Sequence, residues 1–384
     1  MSELPQELVD DVVDRLHDDP KALKVCSLIC HAFCARSRRH IFRTVSLVDE
    51  KRCIDFCDLC QKSLYISQSV VILHVSTNSV VEKLLKSRLL GSFVILHSAT
   101  FRTVDFDTDR LPYHCFSAFS SIRSITLAGV TFRDIVHFST SLSYLTLLKK
   151  MNVYAIDIRL AGQALPNSNG TVRRPRVQDL KLSCNLRDGP VLEAFANGDL
   201  ISLRGLRNLS TMFCPQNILH LERLVQTPSL QVLGVKGLQS TDLGSRDPLS
   251  LGNVHTLVLQ INWYPDDSHL SAVRWWTRCL AISPSLRRVT ILYDIRPPFS
   301  NPDHPRDDNN EDYARLTWMN LDRVFSEKTP FTLQSFRMTL CTDLVAKEDK
   351  LELKEYMEDM FPGIQARCKL RVDVVKDFRS VITR

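Results

Sequence analysis

Apolar and polar positions along the chain fall into two regimes. Over residues 4–16 (LPQELVDDVVDRL) the apolar residues Leu8, Val12, Val13 and Leu16 recur at helical spacing, which predicts an amphipathic helix. Pro5 suits the first turn, and Glu7, Asp10 and Asp11 crowd the early turns, where the helix dipole favours acids. Asp18, Asp19 and Pro20 restart a second helix near residue 21, with a stripe of Leu23, Cys26, Cys30, Phe33 and Cys34. Arg36, Arg38, Arg39 and His40 close it, as cations suit a helix C-terminus.

Beyond residue 47 the pattern changes to short apolar strands, each followed by a helical stretch. IRSITLAG (122–129), LSYLTLLK (142–149), VQDLKLSC (177–184), LQVLGVKG (230–237), VHTLVLQI (254–261), LRRVTILY (286–293) and LQSFRMTL (333–340) each fit L-x-x-L-x-L with other apolar residues allowed. Weaker copies lie at 43–48, 70–75 and 101–106, and a last one at 368–375. The helical pieces include 80–93, 218–227 and 269–283, with an amphipathic helix at 344–361 as a C-terminal cap. Neighbouring strands are about 20–35 residues apart with one longer gap, the range of leucine-rich repeats. A βαβ sheet would carry longer helices and more uniformly apolar strands. The predicted class is therefore α/β: short all-α helices over 1–47, then an irregular leucine-rich-repeat-like horseshoe solenoid over 48–384. Two insertions, 162–176 with Arg173, Arg174 and Arg176, and the Pro-rich acidic 296–312, read as solvated loops.

Composition narrows the function. The 384-residue chain is 44% hydrophobic and 24% charged, as expected of a globular protein that buries a core. A net charge of +6 is mild for this length, so nucleic acid is not the expected partner. The start, Met-Ser-Glu-Leu-Pro, predicts no signal peptide, and the greasiest windows are too short to span a bilayer. A cytoplasmic or nuclear location follows as the expectation. The 12 Cys then read as reduced core thiols, and the sequons at Asn169 and Asn208 as coincidences.

Charge is polarised at the N-terminus. The first twenty residues hold seven acids, whereas residues 21–43 hold six Lys/Arg and no acid. Against this background Leu4-Pro5-Gln6-Glu7-Leu8, Val12-Val13 and Leu16 resemble the F-box pattern L-P-x-E-L-L-x-x-I-F-x-x-L. Ile29-Cys30-His31-Ala32-Phe33 is similar to the F-box V-C-R-x-W segment, and Ile41-Phe42-Arg43 to its L-W-R ending. Phe33 and Phe42 stand where Trp is usual, and His31 where Arg is usual. The run from Asp18 to Leu47 is also similar to F-box proteins that mushroom-forming fungi carry in large families. The resemblance covers about 45 residues and implies docking to a Skp-type adaptor, and through it to a cullin, by Leu4, Pro5, Leu8, Val12, Leu16, Ile29 and Phe33. The chain is then expected to be the substrate receptor of an SCF-type ubiquitin ligase, not an enzyme, with no cofactor. The competing reading is a leucine-rich-repeat interaction scaffold whose N-terminal helices only cap the first repeat.

Side chains alternate across a strand, so the residues between the apolar letters should share the open face of the sheet. That rule nominates Thr126, Tyr144, Thr146, Asp179, Lys181, Gln260, Arg288, Thr290 and Arg337 as contacts for a protein substrate of unknown identity. Other chemistry is weaker. Cys53, Cys57 and Cys60 have the C-x3-C-x2-C spacing of an iron–sulfur site, but on a helix directly after a strand they read as core thiols. Cys26, Cys30 and Cys34 lack a fourth zinc ligand, and Asp303-His304 with Asp307-Asp308 sit in a loop whose ordering opposes cation binding. Trp275-Trp276 reads as a helix packing pair. No catalytic motif is found in the sequence.

Overall fold

The structure is a computed structural model. It describes residues 5–87, 89–107, 113–160, 173–183, 189–212, 217–237, 243, 246–262, 268–295, 308–327, 333–342 and 347–376. The chain is α/β and divides into two compact units, one of residues 1–177 with 198–202, the other of residues 178–197 with 203–384. Among the described residues there are twelve strands, and the pairings between them are parallel.

The first unit opens with three helices, α1 (Gln6–Arg15), α2 (Pro20–Ile29) and α3 (His31–Ile41). The Asp19 carboxylate caps α2 by accepting the N–H groups of Lys21 and Ala22, and Pro20 occupies its first turn. The stripe expected to run unbroken from Leu23 to Cys34 is interrupted. Cys30 is extended (φ −161°, ψ 172°), so two helices meet there at an angle of the chain, and the Cys30 side chain is exposed. On α1 the inward face is Val9 and Val13; Leu8 and Val12 point outward.

Strands then alternate with helices: β1 (Thr44–Leu47), α4 (Glu50–Lys62), α5 (Leu64–Gln68), β2 (Ile72–Val75), α6 (Asn78–Lys86), β3 (Ser98–Arg102), β4 (Ser124–Phe132), α7 (Ile135–Ser143) and β5 (Lys150–Ile158). The alternate residues Leu73, Val75, Ala99, Phe101, Ile125, Leu127, Met151 and Val153 are buried, as are Val80, Val81 and Leu84 of α6. Burial of each such side chain contributes on the order of 1.5–3 kcal/mol before entropy is counted. An aromatic cluster fills the same layer. Phe106 stacks on Phe132 at 5.2 Å and Phe132 on Phe138 at 4.5 Å, while Phe101 meets Phe119 edge-on at 5.4 Å.

A 26-residue repeat governs β2 to β5. Ile72, Ser98, Ser124 and Lys150 stand in register at that interval. So do three left-handed residues, Thr103 (φ 50°) just after β3, Gly129 (φ 61°) within β4 and Ala155 (φ 50°) within β5. One hydrogen-bond device recurs at each strand start. The carbonyl before a strand accepts two consecutive N–H groups of the next: Arg43 from Val71 and Ile72, Val71 from His97 and Ser98, His97 from Arg123 and Ser124, Arg123 from Lys149 and Lys150.

The second unit comprises β6 (Asp179–Ser183), α8 (Gly189–Ala196), β7 (Asn208–Met212), α9 (Ile218–Val225), β8 (Val232–Lys236), β9 (Thr256–Asn262), α10 (Ser268–Ala281), β10 (Arg288–Asp294), α11 (Asp308–Glu327), β11 (Ser335–Cys341), α12 (Lys347–Asp359), α13 (Pro362–Arg367) and β12 (Lys369–Val375). The strands pair in chain order, and the same two-N–H device recurs at Gln178, Arg207, Gln231, His255 and Arg287. Trp275 and Trp276 are a buried packing pair, 4.9 Å apart.

Several sequence expectations are corrected. The stretch 142–149 is not a strand: its first residues end α7, and the strand begins at Lys150. Leu142, Leu145 and Leu148 bury themselves at a helix end and turns, closed by Leu145 N–H to Leu142 O and Leu148 N–H to Leu145 O. The copy at 101–106 is shifted, since β3 starts at Ser98 and Asp105 makes only an isolated bridge to Thr131. The helical stretch 80–93 is split, α6 ending at Lys86 and a single 3-10 turn following at Leu89–Ser92. The loop expected over 296–312 ends earlier, because α11 begins at Asp308. β7 was not foreseen, its sequence NLSTM being mostly polar. Most of the 162–176 insertion, residues 296–307 of the second insertion and the Asp303-His304 pair lie outside the described residues.

One close approach in the second unit requires glycine. The Asp322 carboxylate of α11 accepts the N–H groups of Gly363 (3.0 Å) and Ile364 (2.7 Å), which seats the start of α13 against α11. A Cβ at Gly363 would lie 2.5 Å from the Ser326 Cβ and 2.9 Å from Asp322 Oδ2. Gly363→Ala is expected to destabilise the protein by about 1–3 kcal/mol. Urea unfolding checks this, and an unchanged midpoint would contradict the packing described.

Candidate protein-interaction surfaces

Two kinds of surface stand out, one on the N-terminal helices and one on the open faces of the sheets. The helices are held together by a polar clamp. The Asp14 carboxylate of α1 accepts from Arg36 Nε (2.6 Å) and Nη2 (2.5 Å) and pairs with His40 Nε2 (2.7 Å), both on α3. These partners, Arg36 foremost, hold the Asp14 carboxyl well below the usual carboxylate range, and in turn raise Arg36. The acidic first helix and basic third helix of the sequence thus meet at one point. Gln6 Nε2 donates to the Ala32 carbonyl (3.2 Å), and the Tyr65 hydroxyl of α5 donates to the Ala35 carbonyl (3.1 Å), joining α3 to the strand–helix part of the same unit.

Only Val9, Val13, Leu23, Cys26 and Ser37 of these helices are buried. Large apolar side chains remain outside: Leu8 (53% exposed), Val12 (49%), Val25 (63%), Leu28 (85%) and Ile29 (60%). Of the residues expected to dock an adaptor, Pro5, Leu8, Val12 and Ile29 are exposed, Leu16 and Phe33 are half-buried, and Leu4 lies outside the described residues. Val25 and Leu28 were missed, although their spacing with Ile29 places all three on neighbouring turns of α2. So much exposed aliphatic surface on three short helices suits burial against another protein.

The open sheet face of each unit is organised in rows by the register. In the first unit Ser46, His74, Thr100, Thr126 and Asn152 form one polar row across β1 to β5, with Asn152 Nδ2 donating to Thr126 Oγ1 (3.2 Å). Burial pushes His74 below its ordinary value, and Arg102 adds to the shift. Thr126 is therefore where the alternation rule puts it. Tyr144 and Thr146 are not: Tyr144 caps the C-terminus of α7 and Thr146 lies in the turn before β5.

In the second unit the register places Asp179 and Arg288 in one row, Lys181, Thr290 and Arg337 in the next, and Gln260 in the one after. Arg337 is engaged with Asp373 of β12 (2.8 Å), which also pairs with Arg371 (2.9 Å). The Asn208 amide donates to Asp179. Lys236 of β8 is half-buried on this face, and burial together with the nearby Lys181 charge holds its ammonium below the usual lysine range. No residue near this row was nominated on β8, because VLGVK shows only a single polar letter beside a glycine.

The cysteine cluster faces inward. Cys53, Cys57 and Cys60 are buried on α4, Cys53 Sγ lies 3.7 Å from the Val80 carbonyl, and burial pushes Cys53 and Cys60 up to about 12. Among the described residues no group of His, Cys, Asp and Glu is arranged to hold a metal, and no helix is long and apolar enough to cross a membrane. No protein-family model matches the chain, and no curated protein matches it.

The clamp carries a pH dependence. Because Asp14 is depressed in the folded state, its contribution is complete above the ordinary carboxylate value near 4 and is lost as pH falls through the lower folded value. Acid titration followed by circular dichroism should show Asp14→Asn lowering helical stability at neutral pH and flattening its acid sensitivity. Equal profiles for variant and wild type would remove the clamp from the stability of these helices.

Proposed function

We propose that this chain is a substrate-receptor subunit of an SCF-type ubiquitin ligase. Its helices α1–α3 act as an F-box that docks a Skp-type adaptor, and through it a cullin. Its strand–helix array acts as a leucine-rich-repeat-like horseshoe that holds a protein substrate on the open sheet face. The observation that carries the reading is the set of exposed aliphatic side chains Leu8, Val12, Val25, Leu28 and Ile29, three of which stand at positions the F-box resemblance assigns to adaptor contact. In-register rows on the sheets, with strands 24–29 residues apart from β2 to β9, support the repeat part of the proposal. In this role the chain is not an enzyme and needs no cofactor. It raises the effective concentration of substrate at chemistry performed by other subunits, and it works in the cytoplasm or nucleus.

A second reading, an interaction scaffold whose helices merely cap the array, is favoured by one observation. The helices belong to the same compact unit as β1–β5, tied by the Tyr65–Ala35 hydrogen bond. Co-expression with a Skp-type adaptor separates the two. The receptor reading expects a stoichiometric complex on size-exclusion chromatography, abolished by Leu8→Asp with Leu28→Asp, since buried apolar anchors each contribute about 2 kcal/mol or more. A folded monomer that ignores the adaptor would sink the receptor reading and leave the scaffold.

A further inference from the structure

We propose that Arg102, with the hydroxyls of Thr100 and Thr126 and the ring of His74, makes a carboxylate-binding site on the open sheet face of the first unit. The register builds the site. His74, Thr100, Thr126 and Asn152 lie in one row across β2 to β5, and Arg102 stands two residues beyond Thr100 on β3, with Ala128 beside it on β4. Neighbours in the row are one strand spacing apart, about 5 Å, and Arg102 is about 7 Å along its strand from Thr100, a gap its own long side chain can bridge. Ala128 presents only a methyl group, so the floor next to the guanidinium is low. Arg102 is exposed, and its charge is near enough to disfavour the His74 imidazolium.

The donors of this site are unspent. Thr100 is only 6% exposed, yet among the described residues its hydroxyl makes no hydrogen bond. The side chains of His74 and Arg102 likewise have no hydrogen-bond or ion-pair partner among the described residues. Asn152 Nδ2 donates to Thr126 Oγ1 (3.2 Å), which spends an acceptor site of that hydroxyl and leaves its proton to be donated elsewhere. No acid competes for these donors. The three rows across β1 to β5 that contain or flank them carry neither Asp nor Glu. Asp105 and Asp107 lie past the end of β3 and are held by Arg159, and Asp157 stands beyond the left-handed Ala155, beside Thr131. The result is a cation ringed by hydrogen-bond donors with no negative charge among them. A carboxylate is acceptor-only: its two oxygens match the guanidinium fork, and its remaining lone pairs can take the two hydroxyl protons. An acidic side chain of a bound protein and a free small carboxylic acid share this chemistry.

The inference does not rest on adaptor docking, and its test leaves the adaptor out, so either can fail without the other. The full chain, labelled with carbon-13 in its histidine rings, is followed by NMR at constant ionic strength. It is titrated with acetate, with an end-capped peptide containing one glutamate, with the glutamine form of that peptide, and with inorganic phosphate. His74→Gln identifies the His74 resonance. Acetate and the glutamate peptide should move that resonance and shift its titration to higher pH, because the bound anion offsets Arg102 and favours the imidazolium. Arg102→Gln should weaken binding roughly tenfold. Thr100→Val, which keeps the shape and removes the hydroxyl, should weaken it without lowering the melting temperature. Preference for the glutamate peptide over acetate assigns the carboxylate to a protein partner, and parity assigns it to a free small acid. A His74 resonance unmoved by both carboxylates, equal binding of the glutamine peptide, tighter binding of phosphate, or undiminished binding by Arg102→Gln would overturn the site.

Discussion

Parallel pairing in register is the constraint from which the rest of the structure follows. A parallel strand cannot turn back on its neighbour, so each must be followed by a crossover that buries one of its faces. Here the carbonyl before most of the strands takes two N–H groups from the start of the next, which locks the register at one end before the ladder begins. With register fixed, alternate apolar residues such as Leu73, Ala99, Ile125 and Met151 align beneath the helices, and their neighbours are forced into rows on the other face. The constraint has a cost. Thr103 and Ala155 hold left-handed backbone that disfavours a side chain by about 1–2 kcal/mol each, while Gly129 takes the same bend freely.

The N-terminal helices obey a different logic. Three helices of about ten residues enclose too little apolar volume to hide all their aliphatic side chains, and only four apolar residues reach their interior. The polar clamp at Asp14 compensates by fixing α1 to α3 through one charged, doubly hydrogen-bonded contact. Leu8, Val12, Val25, Leu28 and Ile29 remain exposed beside it.

Where period and burial agree, the sequence was a good guide. The L-x-x-L-x-L copies at 122–129, 177–184, 230–237, 254–261, 286–293 and 333–340 all contain strands, because two apolar letters at period two can be buried only on one face of a sheet. The copy at 142–149 misled because Leu142, Leu145 and Leu148 repeat at three, a spacing that a helix end and its turns also bury. β7 escaped notice because neighbours on both sides supply the hydrogen bonds that its polar residues do not signal. On the helices, listing anchors by motif found Leu8, Val12 and Ile29 but not Val25 and Leu28, which no motif letter covers.

The two kinds of surface differ in how recognition is prepared. A row such as Lys181, Ser210, Gly234 is placed by backbone hydrogen bonds, so its spacing is the strand spacing and changes only if the ladder breaks. A ligand that matches such a fixed spacing would avoid part of the ordering cost that weakens association. The helix surface has no such ladder. Its aliphatic residues are exposed, so any affinity there would come from buried area. In the receptor proposed above, a polar, pre-spaced surface joined to an apolar one would separate selectivity from adhesion. The separation is already visible in the two hydrophobic periods of its sequence, 3.6 over the first helices and 2 in each strand thereafter.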